Sequence, residues 1–461
     1  MTLAAGALTC RGCREPLVSA ANFCVRCGLP TGDACPRCGK DLPLAVGECP
    51  SCAVPLVHCE TCGRTYGVER TRCRNVDWNC LDAPLVSAFG ACPGLHGSLA
   101  RTSAARGGPC AMQPLGEPQW TLADSASPLL EVLAAYGRAF VFTPRAVLSL
   151  PLRASGAIDP FDSRVLRSSP LAARGREFRA VIDAAVGFGQ VCLVAERHDR
   201  RAEVLVFRAD DVSASWRLEG GDGARTAVPV PEGVLLFTDT EVKRYAAGSV
   251  APDAVAVTAI PPRGEAPPAV ADDGAFVVYG GTDGSVWRIR VETLETLRLL
   301  GPGSVGPPVL GPHFVHALSR ESGAAVTLLH QIEVDTAAHD AVSLPLKTDL
   351  RLRGAGAMRL VFDIDGRAYR AVTVEPWPGR LQADIMPRPV NEDIIADLLL
   401  EGSSKDLLLA ARDGGRGAVR LVRFDGETVL RGALDPSARF IACDDRIIVW
   451  SEGRLECHAL A

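Results

Sequence analysis

The sequence predicts a mostly β protein built from two unlike parts. Three observations carry that expectation. Fourteen of the 17 cysteines fall in residues 1–110, most of them in pairs with two residues between. After about residue 130 the texture changes to short β-branched runs punctuated by Gly, Pro and Asp-Gly, the pattern of strands joined by tight hairpins. Those runs recur at a nearly constant interval to the end of the chain, as repeated units of one kind of sheet would.

Composition bounds the rest. A length of 461 residues suggests two or three domains. With 47% hydrophobic and 22% charged residues, wholesale disorder is excluded. A net charge of −5 gives no general reason to expect a nucleic-acid or membrane partner. The most apolar stretches are broken, one by Arg138, Pro144 and Arg145, another between Glu401 and Asp406. No uncharged apolar run of about 18 residues remains to span a bilayer. Met1 to Thr9 lacks a basic n-region, so it does not read as a signal peptide. The expected setting is the cytoplasm, where thiols stay reduced and paired cysteines bind metal more often than each other. Only Lys40, Lys243, Lys347 and Lys405 among the 49 basic residues are lysines, a bias that codon usage in a GC-rich bacterial genome produces unaided.

The cysteine spacing is the strongest signal. Cys10-x2-Cys13 is followed after ten residues by Cys24-x2-Cys27, and Cys35-x2-Cys38 after ten by Cys49-x2-Cys52. Cys59-x2-Cys62 is followed after ten by Cys73. A Cys-x2-Cys turn aims two thiolates at one point, and two facing turns complete a tetrahedral S4 site for Zn2+. Gly28, Gly39 and Gly63 directly follow the second ligand of a turn, where a permissive backbone lets the chain curl round the ion. Each unit is too poor in apolar residues to fold alone. Zinc supplies the folding energy, ~10–16 kcal/mol per structural site. Four thiolates leave no open position, which makes such sites structural rather than catalytic, and two matched quartets argue against a redox dithiol.

The first two units resemble the double zinc ribbon. The residues that carry the resemblance are Cys10-Arg-Gly-Cys13 with Asn22-Phe-Cys24-Val-Arg-Cys27-Gly28, and Cys35-Pro-Arg-Cys38-Gly39 with Cys49-Pro-Ser-Cys52. It covers residues 8–57 and implies zinc without naming a function. The third unit departs from it, because Val76 stands where a fourth cysteine belongs. Cys80 is the leading fourth ligand, through a bulged loop. Cys92, His96, Cys110 and His58 are the alternatives. The expected metal ligands are therefore Cys10, Cys13, Cys24, Cys27, Cys35, Cys38, Cys49, Cys52, Cys59, Cys62, Cys73 and Cys80, holding two or three structural zinc ions.

Residues 1–110 carry 11 Arg/Lys against 8 Asp/Glu. Each Zn(Cys)4 centre adds two negative charges, so the region is near neutral or acidic, a weak footprint for phosphate. Arg70, Arg72 and Arg74 form its best basic patch. At 5% aromatic residues the chain also offers little for base stacking.

In the second part, eight apolar hairpins have first strands centred near Phe140, Cys192, Leu235, Val277, Val315, Val361, Leu408 and Ile447, about 44 residues apart on average. A period of 40–50 with all-β texture marks a propeller. The clearest unit runs from Ala275 to Val291 and turns at Thr282-Asp283-Gly284. Strand alternation puts Trp287, Ile289 and Val291 on one face and Arg288 and Arg290 on an opposite, solvent face. This unit is similar to the repeat of PQQ-like (quinoprotein-type) β-propellers, in which a pre-strand Pro-Val precedes strand, Asp-Gly turn and strand; Pro268-Ala-Val270 and Pro308-Val309 fit that element. The resemblance implies the fold, but no calcium or quinone constellation accompanies it.

Val132–Leu152 and Phe440–Leu460 align as strand, turn, strand, turn, strand, and the last unit lacks an outer strand. Gln119-Trp120-Thr121-Leu122 can supply it, closing the ring with strands from both ends of the region and removing a sticky edge. Eight blades are expected, with seven as the alternative.

The expected organisation is a double zinc ribbon over 1–57, a third zinc-binding unit over 58–97, a linker over 98–117 and a PQQ-like propeller over 118–461. No catalytic string such as Gly-x-Ser-x-Gly, Gly-x4-Gly-Lys-Ser/Thr or His-Glu-x2-His occurs. His313 and His316, the one close histidine pair, fall on opposite faces of a strand, which is poor for sharing a metal. The expected function is a non-catalytic scaffold or sensor that binds other proteins in a bacterial regulatory assembly. Nucleic-acid binding through the ribbons and an enzyme site at the propeller channel are the alternatives.

Overall fold

The computed structural model describes most of residues 34–73, positions 15, 26, 27, 83 and 85–87, strand 104–106, residues 118–123 and the greater part of 129–344; beyond 350 it describes strands alone. No helix occurs among the described residues. A small sheet places β1 (Leu56–Cys59) between β2 (Thr65–Gly67) and β3 (Leu85–Ser87). Next in the chain come β4 (Ala104–Arg106) and β5 (Trp120–Ala123), which join sheets formed much later.

Eight larger sheets follow, each a run of antiparallel hairpins. The first holds β6 (Glu131–Ala135), β7 (Arg138–Phe142), β8 (Ala146–Pro151) and, past β9 (Gly156–Ala157), β10 (Arg167–Pro170). The second holds β11 (Phe178–Gly187), β12 (Gln190–Arg197), β13 (Ala202–Arg208) and β14 (Ser215–Arg217). β15 (Thr226–Val230), β16 (Gly233–Phe237), β17 (Glu241–Ala246) and β18 (Ala254–Val257) make the third. The fourth is β19 (Ala269–Val270), β20 (Phe276–Gly280), β21 (Val286–Arg290) and β22 (Thr296–Leu300). The fifth is β23 (Val309–Leu310), β24 (Phe314–Ser319), β25 (Thr327–Glu333) and β26 (His339–Leu344). The sixth is β27 (Leu350–Ala355), β28 (Arg359–Ile364), β29 (Ala368–Thr373) and β30 (Asp384–Pro387). In the seventh, β31 (Asp393–Glu401), β32 (Leu407–Arg412), β33 (Val419–Arg423) and β34 (Thr428–Arg431) are joined by β4, parallel to β31. In the eighth, β35 (Arg439–Cys443), β36 (Arg446–Ser451) and β37 (Arg454–Ala459) are joined by β5 and β9.

Every predicted strand centre, from Phe140 to Ile447, lies on the second strand of its sheet. First strands of neighbouring sheets touch at β6/β11, β11/β15, β19/β23, β23/β27 and β31/β35, and β35 touches β6, so the eighth sheet meets the first. The apolar cores lie between sheets rather than within them. Leu133, Phe140 and Phe142 of the first sheet share one cluster with Val186, Val191 and Phe207 of the second. Val194 and Val206 meet Val234 and Tyr245, and Phe237 meets Tyr279 edge-on at 5.6 Å. Face-to-face packing of successive sheets is what lets each short sheet bury both surfaces.

The predicted closure is observed. β5 pairs antiparallel with β37, Trp120 opposite Cys457 and Leu122 opposite Leu455. Trp120 is fully buried and its Nε1 donates to the Leu152 carbonyl at 3.1 Å. Arg439 on β35 adds an ion pair to Glu131 on β6 at 3.0 Å across the same seam. Within the stretch expected as linker, β4 is a strand. Its Ala- and Arg-rich sequence carries no alternation by which a strand could be read.

Arg288 corrects the expectation for β21. It is buried, and its Nη1 donates to the Val334 carbonyl of the next sheet at 2.8 Å. Arg290, two residues on, is exposed as expected. At Arg288, though not at Arg290, the face judged solvent-facing from alternation is covered by the neighbouring sheet. Arg244 repeats the arrangement one sheet earlier, with Nη1 3.3 Å from the Val291 carbonyl. Arg288→Met is expected to destabilise the protein by about 1–3 kcal/mol, because it strands a buried carbonyl. Arg290→Met is expected to stay within about 0.5 kcal/mol. Urea unfolding midpoints check the pair, and equal losses would sink the role given to the Arg288–Val334 hydrogen bond.

Candidate metal centre

The second cysteine quartet is built on two short knuckles. The Cys35 N–H donates to Lys40 O at 2.7 Å and the Gly39 N–H to Cys35 O at 2.9 Å, folding Cys35 to Lys40 back on itself. Gly39 has φ +70, a conformation that a side chain would strain. The facing knuckle closes with the Cys49 N–H on Val54 O at 2.9 Å. Isolated bridges Ala34↔Asp41 and Glu48↔Pro55 pin the base of each. The four sulfurs of Cys35, Cys38, Cys49 and Cys52 lie within 4.8 Å of one another. Cys35 to Cys52 and Cys38 to Cys49 are each 3.7 Å. A disulfide needs about 2.0 Å, whereas a tetrahedron with Zn–S near 2.3 Å has edges of about 3.8 Å. The quartet therefore fits a tetrahedral zinc ion.

Burial sets two of the four thiols against ionising on their own. Burial pushes the Cys35 thiol up and the Cys52 thiol up to about 12, while the Lys40 backbone N–H holds Cys38 down to about 7. Four thiolates in one place need a cation between them. Residues 10–53 match the double zinc ribbon family.

The double zinc ribbon stops short of the third unit. There Cys59 ends β1, Cys62 follows on the turn, and Cys73 donates its N–H to Ala83 O at 2.8 Å. Gly63, φ +68, donates to Cys59 O at 2.7 Å, repeating the Gly39 knuckle. The three sulfurs cluster, all buried, with Cys62 to Cys73 at 3.7 Å, again a tetrahedral edge. The Tyr66 hydroxyl is 3.3 Å from the Cys73 sulfur, a contact that spacing did not reveal. His58 does not join the cluster. The units are locked together by Thr65 Oγ1 donating to Pro43 O at 2.7 Å and the Ala45 N–H donating to Gly63 O at 2.7 Å.

Of the first quartet only Cys27 is described, and it is exposed; Cys10, Cys13 and Cys24 lie outside the described residues. So do Cys80, Cys92, His96 and Cys110, as well as Arg74. Cys192 and Cys457 are fully buried, as core cysteines should be.

No curated protein matches the chain in sequence. Among solved structures it is similar to BamB from Moraxella catarrhalis, at 14% identity over 73% of this chain and 97% of that one, with a TM-score of 0.49. It is also similar to the Cps50 (Swd1) beta-propeller domain of Myceliophteria thermophila, at 11% identity over 59% and 93% of the two chains, with a TM-score of 0.38. The strand order itself makes the chain mostly β, with zinc-ribbon knuckles followed by a propeller-like succession of sheets. Among the described residues, no helix is long and apolar enough to cross a membrane.

His313 lies outside the described residues. His316 is buried on β24, its Nε2 3.4 Å from Gln331 Oε1. Burial pushes its pKa down to about 4. The unfolded chain therefore binds the proton more tightly, and stability falls as pH drops from about 6.5 to about 4, at up to ~1.4 kcal/mol per pH unit. His330, lowered by burial and by His339, acts in the same direction. Urea midpoints at pH 7 and pH 5 should differ, and His316→Leu should shrink the difference. An unchanged difference would remove His316 from the account.

Proposed function

We propose that the chain is a non-catalytic scaffold or sensor in which a zinc-ribbon array and a propeller together bind other proteins, within a bacterial regulatory assembly in the cytoplasm. The observation that supports this reading is the quartet Cys35, Cys38, Cys49 and Cys52, whose clustered sulfurs would fill all four positions round one ion. A saturated metal does no chemistry on a substrate, so its work is to hold a surface. The proposed division is a double zinc ribbon over 1–57, a third unit over 58–97, a linker over 98–117 and a propeller over 118–461 whose eight sheets are its blades. The proposed ligands are Cys10, Cys13, Cys24 and Cys27 for the first ion and Cys35, Cys38, Cys49 and Cys52 for the second. Cys59, Cys62, Cys73 and Cys80 would hold the third.

Affinity capture with the zinc-loaded full chain tests the reading. A stoichiometric protein partner that reconstitutes from purified components supports it. A salt-dependent shift of DNA or RNA by the full chain, with no such partner, would replace it with nucleic-acid binding through the ribbons.

A further inference from the structure

We infer that Tyr136 clamps the third zinc unit to the propeller, so that holding the third ion and docking the ribbons are one linked event. This rests on reading Cys59, Cys62 and Cys73 as metal ligands.

Two independent observations meet at this residue. The first is local strain. Tyr136 stands at the tip of the β6–β7 hairpin with φ +54, followed by Gly137 at φ +69. Successive positive φ values make a type I′ turn, where Asn, Asp or Gly at the first position is favoured and a bulky side chain is not. The β11–β12 hairpin repeats the device with Phe188 at φ +47 and Gly189 at φ +77. An aromatic residue held in this conformation is stabilised from outside its own turn.

The second observation is what Tyr136 touches. It packs against the cluster of Val57, Cys59, Cys62, Tyr66, Val68 and Cys73, the shell around the three sulfurs. Its hydroxyl accepts the Gly189 N–H at 3.3 Å, at the tip of the second sheet's first hairpin. One side chain thus joins the metal shell to the first two sheets. Within the shell, the Tyr66 hydroxyl reaches the Cys73 sulfur, as a donor that orients a thiolate ligand does. Phe188, by contrast, packs among Val228, Phe237 and Tyr279 of the third and fourth sheets, away from the sulfurs.

The linkage follows. The ion draws the three cysteines together and creates the apolar shell. Docking on Tyr136 stabilises that shell, so docking tightens metal binding by the same factor by which metal favours docking.

The test is zinc release from the loaded full-length chain into excess chromophoric chelator. Tyr136→Asn suits the left-handed turn, so the hairpin is retained while the ring is lost from the shell. We expect one of three zinc equivalents to leave about ten-fold faster, a coupling of ordinary size, with the other two unchanged. Phe188→Asn makes the same change at the next hairpin and should release zinc as the wild type does. Wild-type rates in Tyr136→Asn, or equal acceleration in Phe188→Asn, would overturn the inference. Should Tyr136→Asn lower the melting temperature, Tyr136→Phe decides, since it keeps the ring and drops only the Gly189 contact. Release within about two-fold of wild type then supports the clamp, and acceleration equal to that of Asn overturns it. A zinc stoichiometry that Cys73→Ser leaves undiminished would instead show that the third-site reading itself has failed.

Discussion

Cys49→Ser is expected to unfold residues 34–56 and to leave the ring of sheets standing. Cys49 is buried, and its sulfur forms a 3.7 Å tetrahedral edge with Cys38. The apolar support around it is slight: Leu42, Val54 and Leu56 with the cysteines themselves. A core of that size does not outweigh the entropy of ordering the segment. The ion does, at ~10–16 kcal/mol per structural site, and a serine hydroxyl cannot stand in for a thiolate ligand. The bound zinc should fall by one equivalent. Hydrogen exchange should show the Cys35, Gly39 and Leu56 amides, each donating within this segment, losing protection while the amides of β12 and β16 keep theirs. Undiminished zinc would exclude Cys49 from the site.

Trp120→Ala is expected to cost about 3–5 kcal/mol, the range for truncating a fully buried large side chain. Trp120 sits with Leu122 among Val132, Val141, Ile448, Trp450 and Leu455, a cluster shared by the first and eighth sheets. Its loss weakens the pairing of β5 with β37 and bares the edge of β37, a template for association between chains. Trp120→Phe keeps most of the apolar contact but leaves the Leu152 carbonyl with only the weak Cys457 Sγ contact at 3.9 Å, an expected loss of about 1–3 kcal/mol. Thermal unfolding followed with light scattering reads both effects. An alanine variant that melts with the wild type and stays monodisperse would show that the seam does not depend on this residue.

What the sequence disclosed was set by local chemistry. Sulfur ligands must stand at fixed spacings round an ion, so the quartet Cys35 to Cys52 and the trio Cys59, Cys62 and Cys73 were visible as spacing alone. Strand centres were visible because β-branched runs between turn residues mark hairpins, and Trp120 was found because the last repeat lacked a strand. Arg288 was misjudged, since alternation says which face a residue is on but not what covers that face. Tyr136 was passed over for a related reason. Its neighbours Cys59, Cys62 and Cys73 come from another unit, and its left-handed backbone gives no sign in a residue type that rarely adopts it. The parallel pairing of β4 with β31 joins segments that no local pattern relates.

The seam also imposes an order of events during synthesis. β5 leaves the ribosome long before its partner, since Trp120 pairs with Cys457, more than three hundred positions later. In the interval β5 can pair only with the two-residue β9, Trp120 has only the first-sheet half of its core, and every completed sheet belongs to an open arc. Contacts of such sequence separation form slowly, and the arc presents apolar surface while it waits. The quartet of Cys35, Cys38, Cys49 and Cys52 needs only its ion and can fold at once. The nascent chain therefore carries a finished zinc knuckle beside an unfinished ring, and β35, β36 and β37 decide whether that ring closes on itself or on a neighbour.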